Sequence, residues 1–180
     1  MIMVGEIRDR ETAETVLQAS LTGHLVLTTF HAGSGAEAIG RLADMGIEPY
    51  LLRSGLLAIL CQRLLRRLCH CTEPSPMDAP TTPWSNGPHR VATGCPECHE
   101  SGYISRGLIA EWLNPAEPAI GEAILNRHDS RTLHEAALST GHIDLAARSL
   151  AAVAAGWTTP QEVTRVLGLP SRRLPSGDSS

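Results

Sequence analysis

The first 30 residues constrain the fold most. Residues 2–4 are apolar, and residues 11–21 (ETAETVLQASL) place Ala13, Val16, Leu17 and Leu21 at helical spacing. Residues 24–30 (HLVLTTF) form a second apolar run, as a strand buried on both faces would. Strand, helix and strand within about 30 residues make a βαβ unit, with parallel strands and a right-handed crossover. Asp9 or Thr12 can cap the helix, and Gly23 ends it. The fold class is therefore α/β. Functional residues in such sheets gather at the C-terminal strand edge, which here carries Glu6 and His31.

Residues 34–45 and 49–67 read as two helices, broken around Gly46 and Pro49. The second is strongly apolar, with Cys61 on its apolar face and Arg66 and Arg67 in a last turn, where they complement the helix dipole. Residues 72–90 hold five prolines and no periodicity, which predicts a loop. A strand is expected at 107–113, then short helices at 116–126, 130–140, 143–155 and 159–167. The last has Thr158 or Thr159 as cap, Pro160 in its first turn and Glu162 as capping-box partner. The expected organisation is 1–67, 68–113, 114–168 and a disordered tail over 169–180.

Composition narrows the function. The chain has no apolar stretch near the roughly 20 residues of a membrane span and no signal-peptide pattern at its start. A formal charge of −4 and 3% aromatic residues argue against a nucleic-acid partner. All 15 basic residues are arginine. A phosphate-cradling P-loop needs a lysine, so these 180 residues contain none.

Cys69, Cys71, Cys95 and Cys98 give C-x-C, 23 residues, then C-x-x-C. Two close pairs flanking a loop match a structural four-cysteine zinc knuckle, which would tie together the ends of the Pro-rich stretch. His70 or His99 could replace a cysteine ligand. A redox C-x-x-C lacks a thioredoxin-like βαβ setting. A zinc hydrolase is disfavoured, because four cysteines leave no open position for water.

Glu6 ends a strand, where a carboxylate can orient water or hold Mg²⁺ through water beside nucleotide phosphates. The alternative is a surface acid paired with Arg8. His24 and His31 bracket the second strand, as phosphate contacts or as hydrogen-bonded structural histidines. Arg8, Arg41, Arg53, Arg63, Arg66 and Arg67 are candidate phosphate clamps or solvated helix faces.

Taken together, these stretches resemble the secretion-superfamily motor ATPases of type II secretion and type IV pilus assembly. MVGEIRD resembles their Walker B segment, and ASLTGHLVLTTFHA at 19–32 their His box. GRLADMGIEPYLL, LCQRLLRRLC, GCPECHESGYISRGLIAEWL and GWTTPQEVTRVL are similar to segments that follow, in order, to about residue 168. The resemblance implies the C-terminal part of a RecA-like P-loop NTPase domain, then the zinc module and a helical region. It implies a hexameric ring, ATP and Mg²⁺ bound between subunits, and pseudopilus or pilus assembly with platform proteins at the cytoplasmic face of the inner membrane. Glu6 corresponds to the Walker B glutamate and His24 and His31 to His-box positions. Arg8 and Arg41 match arginines near the nucleotide or subunit interface, and Arg106 the arginine of a G-Y-x-G-R segment. Retraction motors of pili lack the cysteine module, so its presence favours an assembly motor.

The chain departs from that pattern in its first cysteine pair, usually C-x-x-C, and at Ser105 and Leu108, where glycines are usual. The family's Walker A loop and acidic box precede Walker B, as does the domain that docks on the membrane partner, and none of them is in these 180 residues. The expectation is that this chain alone neither binds ATP tightly nor turns it over. The rival expectation is a non-catalytic zinc-binding module, or a truncated gene product, docking on an intact motor.

Overall fold

The computed structural model describes residues 1–76, 82–85 and 87–169. The expected tail, from Pro170 onward, and part of the Pro-rich stretch lie outside the described residues. The chain divides into two compact units: Met1–Cys61 with Glu111–Asp144, and Gln62–Ala110 with Leu145–Ser180.

In the first unit, β1 (Ile2–Val4) and β2 (Val26–Thr28) pair in parallel, Ile2 opposite Val26 and Val4 opposite Thr28. The helix α1 (Arg10–Leu21) connects them, so the expected βαβ unit is present. The Asp9 carboxylate accepts the Thr12 N–H at 2.8 Å and caps α1. Gly23, just past its end, has a φ of 89°, a backbone geometry that favours glycine. β2 is shorter and less buried than expected. Leu25 and Leu27 are each 49% exposed, and only Val26 among the three packs against the core. A strand covered on one side alternates in burial instead of hiding both faces.

The helices α2 (Gly35–Asp44), α3 (Pro49–Gly55), α4 (Pro118–Leu125) and α5 (Ser130–Ser139) complete this unit. Leu17, Ile39, Leu52, Ile120 and Leu133 form its fully buried centre, and each such side chain contributes about 2 kcal/mol.

The helix expected over 49–67 is half right. It ends at Gly55, and β3 (Ile59–Leu68) takes over, paired with β6 (Tyr103–Leu113). Cys61 and Leu65 are buried while Leu60 and Leu64 are exposed. A spacing of four is nearly one helical turn and also two strand repeats, so the pattern fits both. The pairing strand, more than thirty residues away, decides it. Cys61 is therefore a buried strand residue, and Arg66 and Arg67 lie on β3, not in a helical last turn.

The second unit holds β4 (Glu73–Pro74) antiparallel to β5 (Arg90–Val91), a 3₁₀ turn at Pro96–Cys98, α6 (Leu145–Ala154) and α7 (Pro160–Leu167). α7 opens on Thr159, whose hydroxyl accepts the Glu162 N–H at 3.1 Å. The reciprocal half of the capping box is replaced, because the Glu162 carboxylate turns to Arg66 and Arg165. Arg66 also lies over the Tyr103 ring, and Arg67 over Trp157. Among the described residues, no helix is long and apolar enough to cross a membrane.

Candidate active site and metal centre

Parallel pairing puts the residues that follow β1 and β2 at one edge. Ile7 N–H donates to the Thr29 carbonyl at 3.0 Å, and the Thr29 hydroxyl to the Gly5 carbonyl at 2.6 Å. These bonds hold Glu6 beside His31. Glu6 Oε1 lies 3.0 Å from His31 Nε2, and Oε2 accepts from Arg8 Nε at 2.8 Å. The hydrogen bond from Arg8, aided by the charges of Arg8 and His31, outweighs burial and holds the Glu6 carboxyl below its ordinary value. From α2, Arg41 donates to the His31 carbonyl and lies over the Phe30 ring, 5.3 Å from its centre. Glu6, Arg8, His31 and Arg41, with Ile7, Phe30 and Met45, line a cavity of about 350 Å³.

Four of the sequence-predicted residues thus meet in the first unit. His24 precedes β2 and so stands at the strand end away from Glu6, with its Nδ1 3.1 Å from the Thr22 hydroxyl. Arg106 is exposed on β6, in the second unit. Arg53 donates to the Ala116 carbonyl and Arg63 to that of Gln62.

In the second unit the ligand atoms of Cys69, Cys71, Cys95 and Cys98 all lie within 4.8 Å of one another. Sulfur separations are 3.8 Å for Cys69–Cys95, 3.9 Å for Cys71–Cys98 and 3.7 Å for Cys95–Cys98. A disulfide requires about 2.05 Å. A tetrahedral ion with sulfur bonds of about 2.3 Å has sulfurs about 3.8 Å apart. The four cysteines therefore fit a metal ion in their spacing as well as their chemistry.

The turn around them supports that use. Backbone N–H groups of Cys95 and Gly102 each donate to Cys98 Sγ at 3.2 Å, and the Cys69 N–H donates to the Gly102 carbonyl at 2.9 Å. Burial raises the Cys98 thiol, but those amides and the neighbouring sulfurs outweigh it and bring it down to about 6. Cys69 is lowered by the Cys71 amide, yet burial and its sulfur neighbours carry it up to about 11. His70 stands 3.5 Å from Cys69 Sγ but is outside the four-sulfur group, as is His99.

Of two buried acids, Glu111 escapes the sequence reading, and Glu162 enters it only as a capping-box partner, without its arginine pairing. For Glu111 a signal exists: Gly107, Ile109, Glu111 and Leu113 alternate as the buried side of β6, and an acid at an inward position of such a run needs a partner.

A family profile described as "Type II/IV secretion system protein" matches residues 1–165. The type II secretion system protein HxcR of Pseudomonas aeruginosa is 42% identical over 167 residues, covering 92% of this chain and 33% of that protein. The type II secretion system ATPase E of Vibrio cholerae is 48% identical over 120 residues, covering 63% of this chain and 24% of its own. The chain spans about a third of the length of the curated relatives it matches. The X-ray structure of the Yersinia pseudotuberculosis ATPase DotB shares the fold, with a TM-score of 0.60 at 17% identity, over 94% of this chain and 37% of that one. The chain belongs to the type II/IV secretion system protein family.

Proposed function

We propose that this chain is the part of a secretion or pilus-assembly motor ATPase that carries the water-activating end of a nucleotide site and a structural zinc centre. One observation carries the reading: Glu6 is held between His31 and Arg8 at the C-terminal edge of a parallel strand pair, beside a cavity that Arg41 also lines. In this reading the first unit belongs to a RecA-like core, and Glu6 is the acid that ends its Walker B strand.

Mg²⁺ is held by one or two carboxylates, waters and substrate phosphates. Glu6, with its side chain 20% exposed at a cavity, fits such a shared role. Its carboxylate orients the attacking water or holds Mg²⁺ through water. Bound Mg²⁺ would offset charge on the transferring phosphoryl group. Arg8 and Arg41 present guanidinium donors to phosphate oxygens. His31, bonded to Glu6, senses whether the terminal phosphate is present. His24 and Arg106 are not among the residues lining this pocket.

The lysine of a P-loop is not among these 180 residues, so hydrolysis draws on residues outside them, and this chain alone is not expected to bind ATP tightly. In the complete protein the assembly is a homo-hexamer on the cytoplasmic face of the inner membrane, working with platform proteins to assemble pseudopili or pili. The sulfur separations support zinc, closed by four thiolates and structural in role.

A chimera that joins this chain to the preceding residues of the Pseudomonas aeruginosa relative tests the reading. Glu6→Gln should lower its ATP turnover by about 100-fold or more while ATP binding persists. Undiminished turnover in that variant would remove Glu6 from the proposal.

A further inference from the structure

Glu111 is 2% exposed and takes no part in the pocket or the cysteine centre. Its Oε1 accepts the N–H of Gly35, 76 residues away in sequence, at 2.6 Å. Its Oε2 lies 3.8 Å from Nε2 of His142, whose side chain is 6% exposed and whose Nδ1 faces the Trp112 carbonyl at 3.1 Å. A carboxylate is seldom buried without bonded partners, and here they include the first amide of α2.

The flanking donors at this helix end are handled locally. Ser34 Oγ accepts the Glu37 N–H at 3.1 Å, and Glu37 Oε2 accepts the Gly33 N–H at 2.8 Å. The Gly35 amide, which has no partner inside the helix, is left to a strand far along the chain. Contact is close: a Cβ on Gly35 would sit 2.9 Å from Leu113 Cβ, two residues along β6 from Glu111. The carboxylate also meets the positive end of the helix dipole.

α2 buries Ile39 and Leu42 in the core. Between them Arg41 reaches the strand ends, bonding the His31 carbonyl and covering Phe30. It lies six residues, roughly 9 Å of helix, from Gly35. A helix tied at its first amide and packed through two core residues has fixed height and rotation, and with them the reach of Arg41.

We infer that Glu111 is a positioning residue: from β6 it bonds the first amide of α2 and so sets the helix that delivers Arg41 to His31, Phe30 and the cavity beside Glu6. Its importance for phosphate binding rests on the function proposed above; the positioning does not.

Phe30 is the only phenylalanine in the chain, so its ring signals in an NMR spectrum are unambiguous. In the labelled chain, the wild type should show nuclear Overhauser contacts between the Phe30 ring and the Arg41 side chain, and a Gly35 amide protected from exchange. Glu111→Gln keeps an acceptor oxygen and should keep both. Glu111→Leu has similar bulk without the acceptor, and should lose the Phe30–Arg41 contacts and shift the Gly35 amide. Ile124→Ala, a core change on α4, should lower stability and leave those contacts in place. Contacts retained in a folded Glu111→Leu chain, or lost in Ile124→Ala as well, would overturn the inference. If Glu111→Leu does not fold, the wild type decides: a protected Gly35 amide supports the inference and a freely exchanging one overturns it. No nucleotide is used, so the result is separate from any ATP measurement.

Discussion

Glu162 and Arg66, 96 residues apart in sequence, meet through one carboxylate that accepts both the Arg66 backbone N–H at 2.9 Å and its side-chain Nε at 2.8 Å. Arg165 donates to the same carboxylate at 2.8 and 2.7 Å. The Glu162 side chain has no exposed surface. Burial raises its pKa, but the donors from Arg165 and Arg66 outweigh that and hold it at about 2. The pair ties β3 to α7 within the second unit.

Acid should therefore loosen this unit. A carboxylate held below its ordinary 4.5 stabilises the fold above that pH, and the contribution is lost as pH falls from about 4.5 toward about 2. Glu162→Gln should lower stability at pH 7 by about 2–3 kcal/mol, since it removes charge-assisted bonds and leaves buried donors poorly matched. Urea unfolding across that pH range should show a shallower slope for the variant. Equal slopes would mean that Glu162 is not the titrating group.

The purified chain should carry one zinc ion by elemental analysis. Cys98→Ser should release it and lower the melting temperature, and a chelator should do the same to the wild type, because binding and folding of such a module are one equilibrium. A metal-free chain that melts unchanged would exclude a structural metal.

Gly102 serves that centre twice, as a donor to Cys98 Sγ and through its backbone shape. Its φ is 74°, and an added Cβ would stand 2.9 Å from Ala92 Cα. Gly102→Ala should cost about 2 kcal/mol or more from strain and overlap, and should weaken zinc retention in a chelator competition. Gly141 also has a positive φ but open space around it, so Gly141→Ala should be milder. Reversal of that order would contradict the close approach.

Arg8→Ala should raise the Glu6 carboxyl toward its ordinary value, because the Arg8 hydrogen bond is the main influence lowering it. A carbon-detected NMR titration of the glutamates reads this directly. An unmoved Glu6 would show that Arg8 does not hold it in solution.

Much of the first unit was legible from local signals. The cap at Asp9, the helix start at Ser130 and the parallel pairing of β1 with β2 follow from residues close in sequence, and so does the meeting of Glu6 with His31. The cysteine cluster was legible because ligand chemistry forces distant pairs together. The strand β3 was not, since residues 59–68 satisfy both periods and their pairing partner is remote. Glu111 was missed, and Glu162 was read only as a capping residue, because Gly35 and Arg66, which they bond, lie 76 and 96 residues away.

The pair β1–β2 has a colloidal consequence. Met1 and Met3 are 87% and 82% exposed, Leu25 and Leu27 lie half bare nearby, and among the described residues each strand pairs only with the other. Apolar side chains beside open backbone edges offer a ready template for a further strand. Held alone in solution, this chain should self-associate as its concentration rises, sooner in sulfate, which strengthens apolar contact. Its practical shelf life would then be set at that edge, before the helical core begins to melt.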